Sequence, residues 1–301
     1  MIVAVPTEEL RDATGPIDGV EYVVWDGTAD PPRAGEIEVC VPDYRTTIRT
    51  MKRLDRLPEL RFVQTQLAGY DGQLELLPDG VVLANAAGVH DDATAEHAVG
   101  LAIAVLRGIP EAVRDHGHWT NLRGRRSLAD SRVLVLGYGS IGRAVAERLL
   151  PMRAQVTAVA SRPREDALVG EVHGVDDLPG LLGYQDVVIV LLPLADGTRG
   201  FVDDDLLGGL PEGALVVNVA RGGVLDTDAV LRHAGRIRFA LDVTDPEPLP
   251  DGHPLWEAPG VLITPHVAGG TTAMLPRMAA LLRDQLERLV SGRPLRNVID
   301  R

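Results

Sequence analysis

The chain has 301 residues, 45% hydrophobic and 24% charged, with three Phe and a formal net charge of −13. That length suffices for two ordinary domains, and a chain of this size buries roughly 75% of its unfolded surface. The acidic balance argues against non-specific binding to nucleic acid or to an anionic membrane, and favours a soluble protein that reads small anions through a local basic pocket.

The first stretch, "MIVAVPTEELRD", lacks the positive region and long apolar run of a signal peptide, so a cytoplasmic location is expected. Up to about residue ninety, "MIVAVP", "EYVVW", "EIEVCVP", "RFVQTQLAG" and "VVLANA" read as short strands, several followed by turn formers. Between them "TTIRTMKRLDRLP" carries Ile48, Met51 and Leu54 at helical spacing. Alternation of this kind means parallel strands covered by helices. The single cysteine, Cys40, excludes internal disulfides and fits a reducing compartment. Within an alternating run it reads as a buried strand residue rather than a nucleophile.

Next comes "DDATAEHAVGLAIAVLRGI", which Asp91 or Asp92 can cap and which has no polar side chain from Ala98 to Leu106. A helix apolar on every side is expected to be buried on every side, here at the junction between two domains. The histidines nearby, His90 with His97 and His116 with His118, bring no further ligand at a diagnostic spacing, so no metal site is expected.

A second series of strands follows: "RVLVLG", "VTAVAS", "DVVIVLLP", "ALVVNVAR", "RFALDV" and "VLITPH". Near-continuous apolar runs mark a parallel sheet covered on both faces. The longest of them are about half of the ~20 residues needed to cross a bilayer. The end of the chain, "AMLPRMAALLRDQLERLVSGR", is an amphipathic helix long enough to pack back on the first domain. The expected division is a first domain of residues 1–94 completed by 271–301, and a second of 95–270.

"VLVLGYGSIGRAVAERL" sets Gly137, Gly139 and Gly142 between a strand and a helix in the order G-x-G-x-x-G. The first glycine permits the tight turn, the second lets a pyrophosphate approach the backbone, and the third lets helix and strand pack closely. A nucleotide is therefore expected here. A nucleophile elbow is not, because Tyr138 occupies the first glycine position of G-x-S-x-G. The acid expected about 20 positions onward, which would hold the ribose of NAD, is missing. "VTAVA" ends at Ala160, and Ser161, Arg162 and Arg164 follow. A hydroxyl with arginine forks suits a 2′-phosphate, so NADP(H) is favoured, with NAD(H) as the alternative.

The remaining signals stand at the carboxyl ends of later strands, where open α/β sheets bind ligands. They are Arg221 in "VVNVARGGVLD", Asp242, Asp245 and Glu247 in "ALDVTDPEPLP", and His266 in "VLITPHVAGG". Taken singly each has an ordinary structural alternative. Together, beside a dinucleotide fold, they are a stronger sign.

With these motifs, and with "QTQLAGYDG", "NAAGVHDDATAEHA" and "LLPLADGTRGFVD", the chain resembles the D-isomer-specific 2-hydroxyacid dehydrogenases over most of its length. The resemblance implies an α/β enzyme of two Rossmann-like domains with a cleft between them: a doubly wound nucleotide-binding domain and a flavodoxin-like substrate domain. It implies hydride transfer between a nicotinamide and C2 of a small 2-oxo or 2-hydroxy acid, with Arg221, Glu247 and His266 as the catalytic residues. Arg221 would clamp the carboxylate, His266 would give and take the proton, and Glu247 would favour the imidazolium. By the same resemblance the backbone amides of Ala68 and Gly69 receive the substrate carboxylate. Ser140 and Ile141 lie against the pyrophosphate, Leu192, Pro193 and Thr198 line the adenosine side, Val219 and Ala220 sit near the nicotinamide, and Asp242 meets its carboxamide. A homodimer is also implied. The Ala160-Ser161-Arg162 stretch resembles the NADPH-preferring glyoxylate and hydroxypyruvate reductases of the family. Glutamine stands at the position of Glu247 in its formate dehydrogenases, which counts against that activity. A dinucleotide-sensing or co-repressor protein on the same fold is the competing expectation.

Overall fold

The computed structural model describes residues 1–119, 121 and 123–300, which divide into two units, Met1–His90 with Thr272–Arg301 and Asp91–Thr271. In the first, five short apolar segments form strands β1 (Ile2–Val5), β2 (Glu21–Val24), β3 (Ile37–Cys40), β4 (Phe62–Gln64) and β5 (Val82–Ala84). They pair in parallel in the order β2-β1-β3-β4-β5, a flavodoxin-like winding. Both faces are covered. On one, Val3, Val5 and Val39 meet Leu10 of helix α1 (Glu8–Thr14) and Met278, Leu282 and Leu286 of the carboxyl-terminal helix Met274–Ser291. Those last three recur every four residues and give that helix its buried stripe. On the other face Ala4 and Cys40 pack with Trp25, Met51 and Leu54. Burial pushes the Cys40 thiol up to about 12, as befits an inert strand residue.

The helix expected around Ile48 is shorter than its spacing suggests. Helix α2 runs only over Thr47–Met51, and a 3₁₀ turn takes over at Leu54–Arg56. Arg53 lies in the break and donates to the carbonyls of Gly27, Thr28 and Ala29. Met51 and Leu54 are buried while Ile48 is 40% exposed.

The second unit opens with α3 (Asp91–Arg107) and α4 (Ile109–Arg114). Its sheet contains β6 (Arg132–Leu136), β7 (Gln155–Val159), β8 (Arg164–Asp166), β9 (Gly170–His173), β10 (Val187–Val190), β11 (Leu215–Asn218), β12 (Arg238–Leu241) and β13 (Val261–Ile263). The order is β13-β12-β11-β10-β6-β7-β9-β8, parallel throughout except for the antiparallel β8–β9 hairpin. Winding runs outward in both directions from β6 and β10. The sheet therefore has its switch point where the glycine motif leaves β6, the place where such sheets bind ligands. Helix α5 (Ser140–Leu149) packs against both α3 and the sheet, with Val145, Ala146 and Leu149 in the shared core, while α3 also reaches β11 and β12 directly.

Two features depart from expectation. The β8–β9 hairpin begins at Arg164, in a stretch after "VTAVA" that the sequence does not mark as strand. Helix α3 is not buried all round: Ala98, Ala102 and Leu106 are fully buried, but Gly100 is exposed and Ile103 and Ala104 are half-buried. The sheet and α5 cover one side of the helix, and its apolar character extends past them. Among the described residues no helix is long and apolar enough to cross a membrane.

Candidate active site

The dinucleotide turn can be tested glycine by glycine. Gly137 has φ +105°, and a Cβ there would stand 2.7 Å from the Leu191 carbonyl. A Cβ on Gly142 would stand 2.4 Å from the Gly137 oxygen, so the third glycine lets α5 close on β6. At Gly139 a Cβ would meet nothing within 4 Å. Gly139 is also the N-cap of α5 and supplies no side-chain cap, so the helix presents its first N–H groups beside open backbone. A pyrophosphate needs both features, and the residues present fit the group. Ser140 is exposed and Ile141 half-buried at this end.

Beyond β7, the three residues expected to read a 2′-phosphate fall into two kinds. Ser161 and Arg162 are exposed, with no side-chain partner among the described residues. Arg164 begins β8 and is tied back: it donates to the Tyr138 carbonyl (2.7 Å) and lies 5.6 Å from the centroid of that ring. Tyr138 in turn donates to Asp166 (3.1 Å), which also takes Arg143. Burial first, then this bond to Asp166, pushes the phenol up to about 12. The hairpin is thereby fastened to the glycine turn. On the neighbouring strand end, Thr198 uses its hydroxyl to close its own loop, donating to Pro193 O and accepting from Ala195 N. Leu192 is half-buried and Pro193 exposed.

At the end of β11, buried Asn218 accepts from Ala220 N (3.0 Å) and donates to Arg221 O (3.0 Å), folding the chain around Val219 and Ala220. Gly222 is obligatory, because a Cβ there would lie 1.9 Å from the Thr244 carbonyl. The segment carrying Arg221 is thus pressed against the segment leading to Glu247.

His266 and Glu247 are joined, with Nδ1 2.5 Å from Oε1, and the two side chains are 44% and 41% exposed. An ionised carboxylate only accepts, so Nδ1 carries the hydrogen and Nε2 is the position that exchanges a proton with a ligand. The hydrogen bond to Glu247 and that residue's charge raise the imidazole pKa, against burial and the positive charge of Arg221. Burial pushes the Glu247 carboxyl upward, but its bond to His266 and the charges of His266 and Arg221 prevail and hold it below its ordinary value. Both partners thus favour the ion pair. His266 has φ +50°, a region in which a non-glycine residue is held only by its surroundings.

What holds it is Asp242. This 1% exposed side chain accepts from Thr264 Oγ1 (2.6 Å), His97 Nε2 (3.2 Å), Val267 N (3.0 Å) and Ala268 N (3.0 Å), while its carbonyl takes His266 N (2.7 Å). Despite the cost of burial these bonds bring the carboxyl to about 2. Asp242 therefore clamps the turn that bears His266. Asn218 and Thr264 went unremarked in the sequence, and His97 was weighed there only as a metal ligand. The signal was present only in Asn218, a polar residue inside the buried run "VVNVA".

Ala68 and Gly69 belong to the first unit, in the half-buried loop after β4, where Asn85 Nδ2 donates to the Ala68 carbonyl (2.6 Å). Among the described residues no cluster of three or more His, Cys, Asp or Glu is placed to hold a metal ion.

Comparison with known proteins adds to this geometry. Residues 99–268 match the model of the "D-isomer specific 2-hydroxyacid dehydrogenase, NAD binding domain". An uncharacterised protein of the proB 3′ region of Corynebacterium melassecola is 36% identical over 260 residues, 81% of this chain and 84% of that protein. Human glyoxylate reductase/hydroxypyruvate reductase is 32% identical over 249 residues, 78% of this chain and 76% of that protein. A D-isomer specific 2-hydroxyacid dehydrogenase from Xanthobacter autotrophicus Py2, solved in complex with NADPH and MES, is 29% identical with a TM-score of 0.82, covering 99% of this chain and 97% of that one.

Proposed function

Because this chain belongs to the D-isomer specific 2-hydroxyacid dehydrogenase family, and so transfers a hydride between a nicotinamide dinucleotide and a 2-oxo acid, we propose that it reduces glyoxylate or hydroxypyruvate with NADPH. The observation that carries the reading is the His266–Glu247 pair, with Nε2 available and the charge of Arg221 felt by both partners.

In this reading the nicotinamide supplies the hydride that adds to C2 of the acid. Arg221 binds the carboxylate and polarises the carbonyl. His266, protonated, gives its Nε2 proton to the carbonyl oxygen as that oxygen gains charge, and recovers it in the reverse direction. Glu247 keeps the imidazole charged before the transfer and holds its orientation. Asp242, with His97 and Thr264, fixes the turn on which Nε2 is presented. Ala68 and Gly69 receive the substrate carboxylate through backbone amides. The preference for NADPH rests on Ser161 and Arg162, with Arg164 setting the hairpin against the glycine turn. The proposed assembly is a homodimer and the proposed location the cytoplasm.

Each charge-assisted hydrogen bond to a 2′-phosphate is worth roughly 1.5–3 kcal/mol, about ten- to a hundredfold in affinity. The test is kcat/KM for NADPH against NADH, with glyoxylate and with hydroxypyruvate. A preference of tenfold or more for NADPH supports the cofactor reading, and a preference for NADH overturns it.

A further inference from the structure

Three successive peptides after β4 have their carbonyls tied to the protein. Leu67 O accepts from Ala86 N (2.8 Å), Ala68 O from Asn85 Nδ2 (2.6 Å), and Gly69 O from Gln73 Nε2 (3.2 Å). In a planar trans peptide the C=O and the following N–H point in opposite directions. The N–H groups of Ala68, Gly69 and Tyr70 are thereby turned away from the groups that hold the carbonyls. None of the three has an acceptor among the described residues, and the loop is half-buried from Leu67 to Gly69 and open at Tyr70.

The two side-chain amides have no freedom to turn. Asn85 is 8% exposed, and its Oδ1 accepts from Ala87 N (3.1 Å) while its Nδ2 serves Ala68. Gln73 is 1% exposed and must direct its nitrogen at Gly69 O, because an oxygen there would face an oxygen. Its Oε1 is consequently buried with no hydrogen-bond partner. Such orphaned acceptors are rare and destabilising, and one retained beside a loop with three unpaired N–H groups points to function.

From this we infer that Asn85 and Gln73 are positioning residues: Asn85 aims the Gly69 N–H, beside that of Ala68, at the carboxylate of the acid, and Gln73 adds the Tyr70 N–H to the pair. The inference rests on the dehydrogenase reading for the identity of the anion. In an acidic chain, neutral amide dipoles receive an anion without a further buried cation. Asn85 orients the first peptide and Gln73 the second, and the unpaired Oε1 is the structural cost of the second.

The experiment compares wild type with Gln73→Met and Asn85→Leu, each loaded with NADP⁺. Oxalate affinity is measured by calorimetry, the KM of glyoxylate and hydroxypyruvate by turnover, and the melting temperature and dinucleotide Kd alongside. Gln73→Met removes both the donor and the orphaned oxygen. It is expected to weaken oxalate and raise KM about tenfold, with an unchanged or higher melting temperature and the same dinucleotide Kd. Asn85→Leu is expected to weaken oxalate by a similar factor. Unchanged oxalate affinity in both variants overturns the inference. So does a loss of oxalate binding that comes with an equal loss of dinucleotide affinity and a lower melting temperature, because that marks a loop-closing role. Wild type that binds oxalate through Asn85 and Gln73 yet reduces no 2-oxo acid keeps the cradle and removes the dehydrogenase reading. Wild type that turns over but binds no oxalate removes the cradle.

Discussion

Replacing Glu247 by glutamine isolates the charge in the His266 pair. Glutamine keeps an oxygen that can accept from Nδ1, so the ring orientation survives while the negative charge is lost. With side chains 44% and 41% exposed, the pair is partly screened by solvent. Its worth lies between an exposed ion pair and a buried charge-assisted bond, about 1–2 kcal/mol, or roughly five- to thirtyfold. Glu247 raises the pKa of His266, so the variant loses its proton at lower pH than wild type. Reduction uses the protonated ring. The variant's reductive kcat/KM should therefore match wild type at acid pH, where both rings are charged, and fall five- to thirtyfold on the alkaline side. Oxidation uses the neutral ring, so the variant should gain on wild type at the acid end. Steady-state kinetics in both directions across a pH series measures this. Superimposable profiles, or a deficit confined to acid pH, would show that the charge of Glu247 does not hold the proton on His266.

Other substitutions test the parts separately. Gly222→Ala places a Cβ 1.9 Å from Thr244 O and should cost about 3 kcal/mol of stability, whereas Gly139→Ala meets nothing within 4 Å and should leave stability alone while weakening the dinucleotide; chemical denaturation and a fluorescence titration separate the two. Asp242, brought to about 2 in the folded chain against an ordinary ~3.9, stabilises the fold above the ordinary value, and this is lost as pH falls towards 2. Asp242→Asn should thus cost about 2 kcal/mol near neutral pH, with the gap from wild type closing below roughly pH 4, as read by urea unfolding. Arg162→Gln should lower kcat/KM for NADPH about tenfold and spare NADH. Arg164→Gln should harm both cofactors, since it loosens the Tyr138 carbonyl within the glycine turn.

Much of the site was legible because its parts are local. Gly137, Gly139 and Gly142 are read from one turn, and Arg221, Glu247 and His266 each follow a run that can only be a buried strand. Other parts depend on meetings between distant residues. His97 looked like an ordinary helix histidine, yet its Nε2 reaches Thr264, 167 positions away. Arg164 is tied to a tyrosine 26 residues earlier, and the "RED" and "GEVH" strands that hold it are too short and polar to show a strand pattern. The orientation of the Ala68 and Gly69 peptides is invisible in sequence altogether, because it is set by which end of a buried amide faces a carbonyl. Helix α3 erred the other way: an apolar stretch reports what the side chains tolerate, and the coverage they receive depends on neighbours.

The role of His266 as proton donor is read from nicotinamide oxidation on adding glyoxylate or hydroxypyruvate to the purified protein, wild type beside His266→Asn. Wild type is expected to turn over, and His266→Asn to lose about 10²–10⁴-fold in kcat at unchanged dinucleotide affinity, the range a positioned general acid supplies. Turnover that survives His266→Asn undiminished would contradict that role, because the proton would then come from elsewhere.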